Sequence, residues 1–258
     1  MEPSGLRGAR HPVSPKFIMV PAIPALGMKF AIIADVHANL EAFKAVLEDS
    51  KQQECSHYAF LGDFVGYCAD PKACIDIVRA MNAPCVKGNH DEYCSTDLPL
   101  NGFNPKAAKA VQWTREQLTE EDRRWLHSLG YVRTIENFTI VHATLDGPER
   151  WGYVFDKLAA AASFAQQSTK VCFFGHTHVP FAFIMDTVVR GGTFTKFKIE
   201  SGKRYFVNVG AVGQPRDNNP KGAYVIYDMD EGTVELRRVS YDIATTQRKI
   251  RDAGLPPR

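Results

Sequence analysis

From Met28 onward the chain repeats one local pattern, a short apolar run that ends on a glycine or on a polar side chain able to bind something. "MKFAIIAD" ends on Asp35, "HYAFLGD" on Asp63, "PCVKGNH" on Asn89 and His90, and "TIVHA" passes through His142. "KVCFFGHTH" ends on His176 and His178. Such runs read as strands, and helical stretches lie between several of them. In "NLEAFKAVLEDS", Leu40, Phe43, Val46 and Leu47 share one helical face. Pro71 is placed to open a helix over "PKACIDIVRAM". Residues 104–128 read as a helical pair, "YVRTIENFTIVHA" as a hairpin turning at Glu136 and Asn137, and "FDKLAAAASFAQQS" as a helix. Beyond residue 180 the texture becomes β-rich, with strands expected in "FAFIMDTVV", "TFTKFKI", "RYFVNVG", "GAYVIYDMD" and "TVELRRVS" and a last helix near 241–252. This pattern implies an α/β fold whose sheets carry helices on their outer faces.

In sheets containing parallel strands, the C-terminal strand ends converge on one edge, where ligand sites commonly lie. The residues delivered there are Asp35, His37, Asp63, Asn89, His90, His142, His176 and His178. Any one of them alone would pass for a loop hydrogen bonder. As a set they need a common explanation, because burying so many polar groups without partners is costly. Imidazole mixed with carboxylate suits Mn²⁺, Fe²⁺ or Zn²⁺ better than Mg²⁺ or Ca²⁺, which prefer oxygen shells. Leaving His90 aside, seven side chains exceed one tetrahedral ion and suit two ions sharing a carboxylate. Two such ions can activate water and polarise a phosphate, which makes phosphoester hydrolysis the expected reaction.

Other features narrow the classes. With 31 basic and 29 acidic side chains, net +2, nothing advertises a nucleic-acid or membrane surface. The six cysteines form no C-x-x-C pair and suggest no disulfide framework, so a reducing cytoplasm is the expected compartment. Residues 1–27 are expected to be a disordered or non-native extension, with the folded domain running from 28 to 254 and carrying a helical insert at about 92–129. The apolar run "FIMVPAIPALG" in that extension contains two prolines and is too short to span a bilayer.

The ordered blocks "DVH", "GD", "GNHD", "VHA" and "GHTH" resemble the calcineurin-like metallophosphoesterases over about residues 28–254. Further stretches, "GDFVGY", "GQPRD" and the terminal "YDIA" and "AGLP", are similar to the small bacterial and archaeal branch of that superfamily. The resemblance implies a four-layer α-β-β-α sandwich of the metallo-dependent phosphatase type, with two divalent transition-metal ions, manganese first among Mn, Fe and Zn. It implies that Asp35, His37 and His178 hold one ion, that Asn89, His142 and His176 hold the other, and that Asp63 bridges them. A hydroxide bridging the two ions would be the attacking group. His90 would act on the substrate's leaving oxygen as the catalytic side chain. Gly62, Gly88 and Gly175 would let the backbone turn beside the metals.

Where the protein serine/threonine phosphatases carry G-D-x-V-D-R-G, this chain has "GDFVGYC", with Gly66 and Tyr67 in place of the Asp that orients the catalytic His and the Arg that grips phosphate. Asp91 or a backbone carbonyl is the expected substitute for orienting His90, and Arg216 in "GQPRDNNP" is the expected phosphate contact. The leading expectation is therefore an enzyme acting on a small phosphomonoester, phosphodiester or nucleotide. The alternatives are a protein serine/threonine phosphatase, or a non-catalytic interaction module like the retromer subunit built on the same fold. A cleft bounded by Phe103 and Asn104 is expected at the mouth of the site, with Trp113 and Trp125 packing in the core.

Overall fold

The computed structural model describes residues 27–256, so the expected N-terminal extension lies outside the described residues apart from Gly27. The described strands are β1 (Lys29–Ile33), β2 (His57–Phe60), β3 (Val132–Ile135), β4 (Phe138–Val141), β5 (Val171–Phe174) and β6 (Phe181–Met185). They continue with β7 (Val189–Gly192), β8 (Lys196–Lys198), β9 (Arg204–Asn208), β10 (Gly222–Asp228) and β11 (Thr233–Val239). The α-helices are α1 (Leu40–Gln52), α2 (Pro71–Met81), α3 (Asn89–Ser95), α4 (Pro105–Gln117), α5 (Glu120–Ser128), α6 (Lys157–Gln166) and α7 (Ile243–Asp252).

Strand periodicity decides the layering. In β1, Ala31 and Ile33 face a core shared with Phe43, Val46, Cys74, Ile75 and Val111 of α1, α2 and α4. Phe30 and Ile32 point the other way, into a core built with Phe138, Ile140, Phe173, Tyr205 and Val207. On β5, Val171 and Phe173 enter that same middle core, whereas Cys172 and Phe174 pack outward against Ala160 and Phe164 of α6. Both sheets are thus apolar on both faces, as period-two strands between helices and a second sheet must be. The result is two mixed sheets packed face to face with helices outside each. One sheet runs β2-β1-β10-β11-β8 and the other β3-β4-β5-β9-β6-β7. Within them β1 pairs in parallel with β2, and β4 in parallel with β5.

One local expectation needs correction. "PCVKGNH" is not a full strand: Cys85 makes a single parallel bridge to Phe60, and at Asn89 the chain already turns into α3. Its backbone is diverted because the Lys87 N–H bonds to the Gly130 carbonyl and Gly88 must lie against Asp63. The β-rich stretch "FAFIMDTVV" forms a hairpin, since Asp186 accepts hydrogen bonds from the Thr187 and Val188 N–H groups and turns the chain between β6 and β7. The β3–β4 hairpin turns at Glu136 as expected, with φ at +48°. Trp125 packs against Phe64 beside the helical core, and Trp113 is half-buried.

Phe173 is fully buried between the sheets and touches Phe138 and Tyr227 edge-on or tilted. Phe173→Ala should destabilise the protein by about 3–5 kcal/mol, read as a lower midpoint in urea unfolding with little change in slope.

Candidate functional site

The ends of β1, β2, β4 and β5 lie together, and the chain is stitched across them. The Asp35 N–H bonds to the Gly62 carbonyl, the His37 N–H to the Asp63 carbonyl, and the Gly175 N–H to the His142 carbonyl. Two side-chain bonds cross between the sheets: His142 Nδ1 donates to the Leu61 carbonyl at 2.7 Å, and the His176 N–H donates to Asp35 Oδ2 at 3.0 Å. Asp35, His37, Asp63, His176 and His178 all carry positive φ, between +49° and +65°. Non-glycine residues held there store strain of about 1–3 kcal/mol each, and such strain concentrates at functional sites.

The side chains so presented form two buried groups. Asp35, His37, Asp63 and His178 each place one donor atom within 4.8 Å of the others, and Asp63, His142 and His176 do the same. Asp63 belongs to both. Asn89 puts its amide oxygen 3.3 Å from His142 Nε2. All seven positions read from the sequence therefore meet at one place. His90 lies beside them, its N–H donating to Asp63 Oδ1 at 2.8 Å.

Whether this cluster fits cations can be decided from its protons. Each imidazole has one nitrogen against a main-chain carbonyl, which can only accept. His37 Nδ1 faces Val65, His142 Nδ1 faces Leu61, His178 Nδ1 faces Gln214, and His176 Nε2 faces Trp151. In the neutral rings the other nitrogens are consequently bare lone pairs turned inward. His37 Nε2 and His178 Nε2 stand 3.0 Å apart, and His176 Nδ1 stands 3.2 Å from His142 Nε2, the nitrogen that carries the second proton whenever His142 is charged. Asp35 Oδ1 is buried with no hydrogen-bond partner among the described residues, 3.3 Å from His178 Nε2. Converging acceptors of this kind repel one another unless positive charge lies among them. The buried Asp/His groups are consistent with a dinuclear metal site.

Burial holds His37 well below the ordinary imidazole range and takes His176 down to about 3, so both stay neutral as ligands must. Burial opposes ionisation of Asp63, yet His142 and His90 more than offset it and keep the carboxyl well below its usual range. At His142 burial is likewise outweighed, here by Asp63 and Asp35, and the ring is lifted to about 9.

His90 is held by packing rather than by the expected carboxylate. Asp91 accepts from the N–H groups of Asp63, Phe64 and Gly88, locking the two loops together instead of reaching His90. The His90 ring packs on Tyr67, with centroids 4.3 Å apart, and its Nδ1 is buried without a hydrogen-bond partner. It occupies the space a Cβ on Gly66 would need, only 2.3 Å from Nδ1. Gly88 and Gly175 are likewise required for close approach rather than for turning, because a Cβ would meet Asp63 Oδ1 at 2.1 Å and Asp35 Oδ2 at 2.5 Å. Arg216 is exposed at the rim, donating to Gln214 Oε1 at 2.9 Å with its guanidinium 5.9 Å from the Tyr67 ring centre.

A cleft of about 230 Å³ opens from Asn89, His90 and His176, bounded by Phe103 and Asn104 as expected. Tyr67, Tyr93, Trp151 and Tyr153 complete its walls, and the motif reading missed them. The only sequence signal for the last two was the aromatic density of "WGYVF".

Residues 28–232 match the family described as the calcineurin-like phosphoesterase superfamily domain. The chain is 35% identical over 233 residues to the uncharacterized protein MJ0912 of Methanocaldococcus jannaschii, covering 88% of this chain and 93% of that one. A crystal structure of a metallophosphoesterase from Sphaerobacter thermophilus superposes with a TM-score of 0.78 at 39% identity, covering 89% and 95% of the two chains. The hypothetical protein PH1004 of Pyrococcus horikoshii shares the fold at a TM-score of 0.72 and 17% identity, over 88% and 94%.

Metal uptake should release the proton that His142 holds below about pH 9, so affinity of the metal-free protein for Mn²⁺ should rise with pH up to that value. The sign follows from a raised folded pKa: in the metal-free protein the proton on His142 stabilises the fold below the unfolded pKa, and that stability is lost as pH climbs through about 9. Calorimetric titration in buffers of different ionisation enthalpy counts the released protons directly.

Proposed function

The chain belongs to the calcineurin-like phosphoesterase superfamily, and we propose that within it the protein hydrolyses a small phosphomonoester, phosphodiester or nucleotide at two divalent cations. The observation carrying this reading is the inward set of bare lone pairs beside the unpartnered Asp35 oxygen. Asp35, His37 and His178 would hold one cation, Asn89, His142 and His176 the other, and Asp63 both. The mixed imidazole and carboxylate donors favour Mn²⁺, Fe²⁺ or Zn²⁺, with Mn²⁺ our first choice. When bound, such a pair supplies Lewis acidity toward phosphate oxygens and a water activated for in-line attack.

The chain's own residues do the rest. The four carbonyls behind the imidazoles fix which nitrogen faces inward, so the donors are oriented before any ligand arrives. Burial takes His90 down to about 4, so its ring is neutral at pH 7 and acts by donating a hydrogen bond to the leaving oxygen. Arg216, tethered through Gln214 to the loop that accepts from His178, would contact a phosphate oxygen from the rim. The Gly66–Tyr67 pair offers neither a carboxylate nor a guanidinium, which disfavours a dedicated phosphoprotein phosphatase. The six free thiols agree with a reducing compartment such as the cytoplasm, and no helix among the described residues is long and apolar enough to cross a membrane. We read residues 28–254 as one domain.

Metal analysis combined with hydrolysis of p-nitrophenyl phosphate and bis-p-nitrophenyl phosphate, with Mn²⁺ supplied, tests the reading. Asp63→Asn should lose most bound metal and activity together. His90→Ala should lower kcat by roughly 10²-fold while keeping its metal. Gly66→Ala should behave like His90→Ala, because the added Cβ displaces that ring. Metal loss in His90→Ala matching that in Asp63→Asn would remove His90 from its assigned role.

A further inference from the structure

The reading of the centre as a phosphoesterase leaves open what is attached to the phosphate, and the cleft beside it carries that information. Its walls are aromatic. Tyr93 and Phe103 pack edge to face at 4.6 Å on one part, and Tyr153 stacks on His176 at 4.2 Å and 29° on another. Tyr153 remains 53% exposed despite that contact, so much of the ring is open to a visitor. Among the described residues, no lysine, arginine, aspartate or glutamate lines the space. Apart from the backbone, the tyrosine hydroxyls, the Trp151 indole N–H and the centre's own Asn89 and histidines, the polar side chain among the described lining residues is Asn104. The Asn104 oxygen already accepts the Lys106 N–H at the start of α4, which turns its remaining capacity toward donation.

From this juxtaposition we propose that the cleft is a nucleoside subsite, taking a nucleobase between its aromatic walls while the attached phosphoester reaches the metal centre. The proposal rests on the phosphoesterase reading above. A charged leaving group would find no counter-charge here, and a bare sugar would set most of its hydroxyls against aromatic faces, with few partners for them. A planar, uncharged heterocycle gains stacking from such rings and can offer a ring nitrogen to the Asn104 amide. The cleft, about 230 Å³, leaves room for a planar base rather than for a larger group. Hydrolysis of the bound monoester would form a P–O bond from water and break the bond between phosphorus and the nucleoside oxygen. That oxygen leaves as a hydroxyl after taking a proton, and no oxidant or reductant is needed.

Two measurements test the proposal. Adenosine cannot be turned over by a phosphoesterase, and calorimetry on the metal-loaded protein should detect its binding while ribose gives none. Phe103→Ala should weaken adenosine binding about tenfold, and Phe103→Leu, which keeps bulk without a ring face, nearly as much. In kinetics, AMP should have a kcat/KM at least about tenfold above ribose 5-phosphate, which differs from it only in lacking the base. Phe103→Ala should remove that advantage by raising the KM for AMP more than that for ribose 5-phosphate. Equal binding of adenosine and ribose, or equal kcat/KM for the two esters, would overturn the subsite while leaving the phosphoesterase reading intact. Adenosine binding that depends on Phe103, in a metal-loaded protein that cleaves no ester, would instead uphold the subsite and overturn the catalytic reading.

Discussion

The pair of imidazole nitrogens facing each other across 3.0 Å at His37 and His178 is the contact on which the rest of the site depends. Each ring has its other nitrogen fixed against a carbonyl, so a proton cannot be moved inward without breaking a buried hydrogen bond. Asp63 and Asp35 add carboxylate oxygens to the same space. A chain that gathers lone pairs in this way is less stable empty than occupied. The strained backbone at five of the gathered residues points in the same direction, since each φ near +50° to +65° must be compensated elsewhere.

That compensation comes from the two sheets. Their packed middle core of Phe138, Phe173, Tyr205 and Tyr227 sets the distance between the strand ends. Parallel pairing of β1 with β2 and of β4 with β5 then directs all four ends to one edge. Asp91 completes the frame from below by taking three backbone N–H groups from the two loops that carry Asp63 and Asn89. Burial and the nearby Asp63 charge push Asp91 up to about 7 against the pull of those donors, so this clamp is itself electrically tied to the centre.

Much of this was legible in the sequence because strand ends announce themselves. An apolar run closing on Asp35, Asp63, His142 or His176 marks both a strand and the residue it delivers, and seven such residues require a shared purpose. The supporting shell was not legible for a physical reason: it is backbone. The carbonyls of Leu61, Val65, Trp151 and Gln214 carry no side-chain signature, although they decide the tautomers. The same holds for Gly66, whose missing Cβ matters only because the His90 ring fills that space in three dimensions. Tyr67 and Tyr93 come from segments distant in sequence from the one that carries Trp151 and Tyr153, and their common wall exists only after the sheets have packed. "PCVKGNH" misled for a related reason, since its strand-like composition was overridden by the approach of Gly88 to Asp63.

The two donor groups also divide in a way that couples the centre to the whole fold. Asp35, His37 and Asp63 follow strands of one sheet, whereas His142, His176 and His178 follow strands of the other. Each group takes members from both sheets, because His178 joins Asp35 and His37 while Asp63 joins His142 and His176. A cation in either position would therefore bond across the sandwich, adding strong links to the two side-chain hydrogen bonds described above, Asp35 to the His176 N–H and His142 to the Leu61 carbonyl. Ligation and sheet packing then reinforce each other: the cores hold the donors close enough to bind, and whatever binds the native arrangement more tightly than the unfolded chain stabilises the packing by mass action. Chemistry placed at the seam between two sheets thus draws its preorganisation from the apolar core packed between them.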